Sequence, residues 1–491
     1  MACPPYSPMP KRWSEPLWLG IILALYLALG SLYAVFTPSW QAPDEPAHYN
    51  YVRYLAEYGR LPILHFGDYP HAYLEQLKAA HFPPEMSIAP LRYESWQPPL
   101  YYVLAAPLYR LFQGNLLALR AFSLLLGTGV VAVAYGTLRD CFPSHGMLAL
   151  GTAAFVAFVP MHLAVLSSVN NDVLAELLIS LTIWYVLVGV SRSERHLHLG
   201  WQWQLLGGVL LGLGLLTKLT YYYIALPLFA LGLWWQHRNF ATLVRGYPVT
   251  WGVACFLAIP WYVRNVALYG WPDLLGKLHH DAVVIGQLRT ADYLSQIGWV
   301  AYLYHFFTTT FQSFWGQFGW MAVPMDTRTY WLLDILTVLA ALGGGLALTN
   351  RAHRQREAST MVFLAAWLAL TVVGYLYYNV TFVQFQGRYL FPGLIPLGLF
   401  IVTGWRTILS RRWALWGAGV CAAVAIGGTV SDIARSGLDK WELLISFGMT
   451  IGLVVRRWLP QEWDAWLWML PLVMLAALSG YSVFAFIMPN L

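Results

Sequence analysis

The sequence predicts an all-α polytopic membrane protein with about thirteen transmembrane helices, and three observations carry that prediction. Charged residues are 11% of the chain and AVILMFWYC residues 58%, whereas soluble domains carry roughly 25% charge. One aqueous core does not absorb that apolar excess, so lipid is the solvent for most of the chain. Apolar runs of about 20 residues, the length that crosses a bilayer core, recur throughout. Lys and Arg clusters punctuate those runs with a single parity.

The first run, Leu17 to Phe36, follows Lys11-Arg12. A cleaved signal peptide shares that basic head, but the run is long and bulky residues follow, so a retained first helix is the reading. Further spans fall near 116–138, 147–166, 173–190, 203–218, 219–235, 246–263, 329–349, 358–378, 389–409, 413–431, 441–455 and 463–487. With the N-terminus inside, even-numbered crossings end at Arg139, Arg192 with Arg195, Arg238 with Arg245, the group Arg351, Arg354 and Arg356, Arg411-Arg412, and Arg456-Arg457. This arrangement satisfies the positive-inside rule at every cluster.

Two apolar stretches, 99–113 and 299–315, would break that parity if they crossed. They read as amphipathic helices in the outer interface. The outer face then carries two large loops, 37–115 and 264–328. The chain is expected to be a single integral membrane domain: a catalytic helical module over 17–263 with the first outer loop, then the second loop, then C-terminal helices over 329–491.

The 25 Trp and 30 Tyr suit a protein with many membrane–water interfaces. The net charge of +6 arises from the flanks of spans, which gives no argument for nucleic acid as a partner. Cys3, Cys141, Cys255 and Cys421 have neither paired spacing nor a CxxC, so no disulfide framework or metal cluster is expected.

Ionisable residues at membrane helices are costly and mark function by default. Here Arg120, Asp172, Glu176, Lys218, Arg264, Asp334, Arg388 and Asp432 all fall at the outer ends of spans. A secondary transporter needs a midplane site on repeated halves, and the sequence shows neither a midplane cluster nor an internal repeat. An enzyme acting on a lipid headgroup needs polar residues at one surface, which is the observed pattern.

Asp44-Glu45-Pro46-Ala47-His48 opens a helix running to Glu57 with Gly59 as its stop. Two readings are open: Asp44 caps that helix and Glu45 complements its dipole, or the pair is catalytic. Gln97-Pro98-Pro99-Leu100-Tyr101-Tyr102 marks an extended return to the interface, where the tyrosines anchor or line a pocket. Asn170-Asn171-Asp172 is a helix cap or part of a site, while Glu176 one turn deeper needs a partner. Lys218 snorkels to water or contacts a phosphate. Arg264 and Arg388 contact lipid phosphates, or together grip a diphosphate or phosphate leaving group. His48 is grouped with these cations as a phosphate ligand, and Tyr389 and Asn171 with Tyr101 and Glu176 as pocket residues. His279-His280-Asp281 is a candidate divalent site, with solvated loop histidines the simpler reading.

The ordered set Asp44-Glu45, Pro98-Pro99-Leu100-Tyr101-Tyr102, Asn171-Asp172, Thr217-Lys218 and Arg388-Tyr389 resembles the GT-C class of membrane glycosyltransferases. Protein O-mannosyltransferases and bacterial aminoarabinose transferases are the most similar branches. The resemblance implies a GT-C fold and an inverting transfer, outside the cytoplasmic membrane, from a polyprenyl-phosphate-linked sugar to an acceptor hydroxyl on a glycan, lipid or protein. It implies Asp44 as the carboxylate activating the acceptor, Asp172 as the second acid, and Lys218 and Arg388 on the lipid phosphate. No cofactor is required, although Asp44, Asp172 and Glu176 offer oxygen ligands to a divalent cation. The mannosyltransferases' large extra loop domain is missing here. The competing classes are a polymerase or ligase using a polyprenyl diphosphate-linked glycan, and a lipid or solute transporter.

Overall fold

The apolar runs become helices, and several helices stop at a glycine, as Glu45–Tyr58 does at Gly59 and Pro248–Tyr269 at Gly270. The computed structural model describes residues 14–194, 200–239, 245–349, 358–434 and 440–491. Cys3, Lys11-Arg12, Arg195 and the Arg351, Arg354 and Arg356 group lie outside the described residues, as does the side chain of Asp432.

Helices stand at all the expected spans: α1 (Glu15–Phe36), α5 (Leu116–Cys141), α6 with α7 (Gly146–Phe158, Pro160–Leu166), α8 (Asp172–Glu194), α9 (Trp201–Leu215), α10 (Leu219–His237) and α11 (Pro248–Tyr269). The second half supplies α14 (Thr327–Leu348), α15 (Ala358–Thr381), α16 (Leu394–Ile408) preceded by a 3-10 segment (Gly387–Gly393), α17 (Ala414–Ala434), α18 (Lys440–Arg456) and the C-terminal run around α19 (Leu470–Ser482). Eight of these are long and apolar enough to cross a bilayer, or nine with the bent α6–α7 pair. The protein is therefore an integral multi-pass membrane protein, but the count of thirteen is not reached on length and composition among the described residues. α9, for example, has 15 residues and is about 22 Å long, short of a core of about 30 Å.

Small residues set the closest helix contacts, as expected where lipid gives no hydrophobic drive between helices. α14 and α16 touch where a Cβ on Gly343 would lie 2.0 Å from the Gly404 carbonyl oxygen. α1 meets α5 at Gly127, where a Cβ would collide with the Tyr26 hydroxyl.

The bend of 67° between α6 and α7 has a chemical cause. Pro160 has no N–H to offer the Val156 carbonyl. The His162 Nδ1 sits 2.7 Å from that oxygen and replaces the missing donor, while Nε2 meets both Glu176 oxygens at 3.1 Å.

The two stretches excluded from crossing also form helices, α4 (Leu100–Leu111) and α13 (Thr290–Trp315, kinked at Gly298). Neither is among the helices long and apolar enough to span. The first large loop holds α2 (Glu45–Tyr58), α3 (His71–Ala79), a 3-10 turn (Tyr93–Trp96) and α4. The second holds α12 (Lys277–Val283), α13 and a two-residue hairpin, with Gln317 opposite Pro324 and Phe318 opposite Val323. The two loops touch through the Trp320 indole, which donates to the Trp40 carbonyl at 2.9 Å.

Candidate active site

Asp44 occupies the N-cap position of α2 with left-handed backbone (φ 66°), yet its side chain caps nothing. A non-glycine residue held there costs about 1–2 kcal/mol. The carboxylate is instead spent on two distant groups: Tyr93 Oη donates to Oδ1 at 3.0 Å and Arg388 Nη2 to Oδ2 at 2.7 Å. Of the two readings of this residue, the cap is the one the geometry rejects.

Asp172 is released in the same way. The Asn170 side chain takes the cap of α8, accepting from the backbone N–H groups of Asp172 (2.9 Å) and Val173 (3.3 Å). Asp172 then accepts from Lys218 Nζ at 2.6 Å. Lys218 stands in extended backbone at the break between α9 and α10. That break is pinned from both sides: the Leu100 N–H donates to the Leu216 carbonyl at 2.9 Å, and Asn171 Nδ2 reaches the Thr217 carbonyl and Gln97 Oε1, each at 3.2 Å. Arg388 is fixed by its neighbour Gly387, whose N–H donates to Ser313 Oγ at 2.7 Å. A Cβ on Gly387 would lie 2.4 Å from the backbone nitrogen of Phe314.

The two ion pairs form one cluster, since the charge of Arg388 acts on Asp172 and those of Lys218, Asp44 and Asp172 act on Tyr389. Arg388 also lies over the Tyr389 ring, 5.4 Å from its centroid. Burial opposes charge on Asp44, but the Arg388 guanidinium, with help from the Tyr93 hydroxyl, holds its carboxyl below the ordinary value. Glu94 behaves oppositely. Burial, then the charge of Asp44, pushes it up to about 7, with Lys218 pulling the other way. On the Arg388 side a cleft with about 420 Å³ of empty space opens between Gln41 and Ser168 and the apolar Met161, Phe318 and Leu491.

Several sequence expectations need correction. Glu45 does not face the cluster: Arg120 Nε and Nη2 grip it at 2.8 and 2.6 Å, and the N–H groups of Val169 and Trp40 complete its shell, with no exposed surface left. It is a tether rather than a catalytic acid. Glu176 is consumed by His162 and not by the pocket. Arg264 turns to the Pro62 carbonyl, Asn265 and the face of Trp261, leaving Arg388 without the partner guanidinium expected of it. Tyr101 is buried on Ser123 at 2.8 Å.

His48 does join the cluster, but burial, then Lys218, drives it down to about 3. It is therefore neutral, bound through Nδ1 to the Tyr102 hydroxyl at 2.8 Å, and is not a cationic phosphate ligand. His280 and Lys277 both pair with Asp281, and among the described residues no three His, Cys, Asp or Glu side chains converge as metal ligands do.

Sequence reasoning missed Tyr93, Glu94 and His162, and missed Arg120 as the partner of Glu45. The signal for the first two was proximity: they stand just before the Gln97-Pro98-Pro99 motif. For Arg120 it was an unpaired buried cation at the outer end of a span.

Residues 96–263, from the 3-10 turn through most of α11, match the family model for dolichyl-phosphate-mannose-protein mannosyltransferase. The fold compares with ArnT from Cupriavidus metallidurans bound to undecaprenyl phosphate: TM-score 0.53, 17% identity, covering 96% of this chain and 76% of that one. The apo form of that protein gives 0.50 and 16% identity. The Archaeoglobus fulgidus oligosaccharyltransferase, tethered with an acceptor peptide containing the NVT sequon, gives 0.53 at 12% identity. The match covers 96% of this chain but only 56% of that enzyme. The chain has the fold of the GT-C membrane glycosyltransferases. A sequence comparison with curated proteins finds no significant match. Within the GT-C fold, the matched segment carries Asn171, Asp172, Thr217 and Lys218, while Asp44 and Arg388 reach the same cluster from outside it.

Proposed function

We propose that the chain moves a single sugar from a polyprenyl-phosphate donor to an acceptor hydroxyl, with inversion, at the extracytoplasmic face of the plasma membrane. The observation that carries this reading is the meeting of two cation–carboxylate pairs, Lys218–Asp172 and Arg388–Asp44, in one cluster at the ends of apolar helices. A lipid phosphate presents its charge at that depth, with the prenyl chain along apolar helix faces. The undecaprenyl phosphate bound by the structurally similar ArnT supports a donor of this class. Sidedness is supported by the placement of Lys and Arg at the opposite ends of the spans. Outside the cytoplasmic membrane, a lipid-borne donor also replaces nucleotide sugars.

As the glycosidic bond breaks, negative charge builds on the phosphate, and cations held in place beforehand stabilise that state more than the bound substrate. Lys218 and Arg388 take this role. Asp44, kept ionised by Arg388, accepts the hydrogen bond of the acceptor hydroxyl and orients it toward the anomeric carbon. The scheme draws its positive charge from these side chains and calls for no resident metal. Turnover with and without a chelator tests that point.

The test is transfer by the purified full-length protein supplied with polyprenyl-monophosphate sugars, alongside mass spectrometry of co-purified lipid. Asp44→Asn is expected to lower kcat about 100-fold or more. Unchanged turnover in that variant removes Asp44 from the mechanism. A co-purified diphosphate-linked oligosaccharide would assign the chain to the polymerases and ligases instead. Counterflow in proteoliposomes without product would assign it to the transporters.

A further inference from the structure

Gln41 is 3% exposed, and its Nε2 is buried without a hydrogen-bond partner. Buried polar groups are nearly always paired, so this one calls for an explanation. Its backbone is not free to swing toward a partner. Arg120 holds the carbonyls of Thr37 and Pro38, and the Pro38 carbonyl also accepts from the Gln41 N–H at 3.3 Å. The Trp320 indole holds the carbonyl of Trp40, which is itself left-handed at φ 71°. The Glu45 N–H then returns to the Ala42 carbonyl at 3.3 Å. Residues 37–45 are thus a fixed turn that carries both Gln41 and Asp44.

Gln41 lines the cleft of about 420 Å³ that ends at Arg388. Two other polar side chains there are engaged inside the protein. Asn170 caps α8 and donates to the Val165 carbonyl at 2.7 Å, and Ser168 Oγ donates to the same carbonyl at 2.8 Å. Arg388 reaches Asp44 through Nη2, but its Nε is buried and unpartnered, like the Gln41 amide nitrogen. Among the described residues no acidic side chain lines the cleft, and much of its wall is apolar, including Phe318 and Met161. Lys218 and Asp172 do not line it. The cleft therefore adjoins the cluster at Arg388 and Asp44, apart from the lysine assigned to the phosphate.

We propose that this cleft takes a saccharide acceptor, and that the Gln41 amide binds a hydroxyl next to the one that is glycosylated. This rests on the transfer reaction proposed above and names its class of acceptor. Inversion requires the acceptor oxygen to approach the anomeric carbon from the face opposite the departing group, and the cleft without Lys218 is the side left for it. Asp44 holds the reacting hydroxyl. Gln41, three residues earlier in the same fixed turn, is left for a second polar group of the same molecule. A neutral amide with no carboxylate beside it in the cleft suits an uncharged partner. A hydroxyl fits best, because it both donates and accepts, and a half-turn of the amide exchanges its own donor and acceptor without changing its shape. A sugar ring carries neighbouring hydroxyls on its edge and C–H groups on its faces for Phe318 and Met161. A Ser or Thr side chain brings one hydroxyl only. The cleft also stands at the small end of the range of about 300–1,000 Å³ for ligand sites, which suits one ring better than a run of peptide. Gln41 binds and orients the acceptor and takes no part in bond making.

The test is a panel of acceptors in the transfer assay with the full-length protein and polyprenyl-monophosphate sugars. The panel holds methyl glucoside, galactoside and mannoside, their monodeoxy analogues, and a peptide containing Ser and Thr. Wild type is expected to use at least one glycoside with kcat/KM about 10-fold or more above the peptide. Removing the hydroxyl next to the acceptor position is expected to cost about 5- to 100-fold in kcat/KM, the effect of leaving a buried polar group unpaired. In Gln41→Leu, which keeps the bulk without the amide, that deoxy penalty is expected to shrink below about threefold. A change in packing alone would slow both acceptors equally and leave the penalty intact. Gln41→Asn withdraws the amide by one methylene and gives the same reading should the leucine variant fail to fold. A wild type that prefers the peptide overturns the saccharide assignment and leaves the transfer reaction standing. A wild type indifferent to every deoxy position, or a variant that keeps the full penalty, overturns the role of Gln41. A wild type that transfers nothing to any acceptor overturns both this assignment and the reaction it rests on.

Discussion

Glu45→Gln separates structural from chemical roles for the acidic pair. The side chains of Glu45 and Arg120 are 0% and 4% exposed, and two hydrogen bonds, one to each carboxylate oxygen, join them. Arg120 also donates to the carbonyls of Ala34, Thr37 and Pro38, tying the end of α1 to the start of α2 one residue from Asp44. Glutamine keeps the shape but removes the charge, leaving a buried guanidinium with only carbonyl dipoles around it. Breaking such a pair costs about 3–5 kcal/mol. The variant is therefore expected to melt well below wild type in detergent, followed by tryptophan fluorescence, and to lose activity because Asp44 is no longer held in its left-handed pose. Replacing both partners, as Glu45→Leu with Arg120→Met, is expected to recover most of the melting temperature, since a buried pair exchanged for apolar groups is often neutral. A Glu45→Gln protein that melts like wild type would refute the reasoning. If it were also inactive, Glu45 would have to act on the substrate itself.

Arg388→Lys keeps the charge but loses the planar fork that reaches Asp44 and that, in the proposed reaction, faces the phosphate. A fall in kcat of about 100- to 1,000-fold is expected in the transfer assay, and wild-type turnover would show that a point charge suffices. Gly387→Ala forces a methyl group onto the Phe314 backbone. It is expected to cost about 1–3 kcal/mol in thermal unfolding and to lower activity by moving Arg388, whereas an unchanged melt and rate would mean that the close approach is dispensable.

The fold was legible because lipid imposes one rule on the whole chain. Apolar length and the parity of Arg clusters located helices at every expected span, and α4 and α13 formed where parity excluded a crossing. The number of true crossings was less legible. Helices such as α9 and α18, with 15 and 17 residues, are too short to span on length alone. At the site, Asp44, Asp172, Lys218 and Arg388 were found from their position at helix ends. Glu45, Glu176 and Arg264 share that position and yet turn elsewhere. Which cation a carboxylate meets depends on contacts across long stretches of sequence, such as Glu45 with Arg120 or Glu176 with His162. Periodicity and spacing carry no information about such pairings.

Under the proposed transfer reaction, the pairing pattern itself bears on catalysis. A bare lysine and arginine at this depth would bind any lipid phosphate and hold it in the ground state as firmly as in the transition state, which gives affinity without rate. Asp172 at 2.6 Å from Lys218 and Asp44 at 2.7 Å from Arg388 weaken that indiscriminate attraction, because an incoming phosphate must share each cation with a carboxylate already in place. The gain is then largest when the phosphate carries its greatest charge, as the sugar departs. The carboxylates thus tune the cations, just as the cations hold Asp44 ionised. Substituting either acid should therefore tighten binding of the lipid phosphate product while slowing transfer, and a variant of Asp172 that weakens product binding would count against this account.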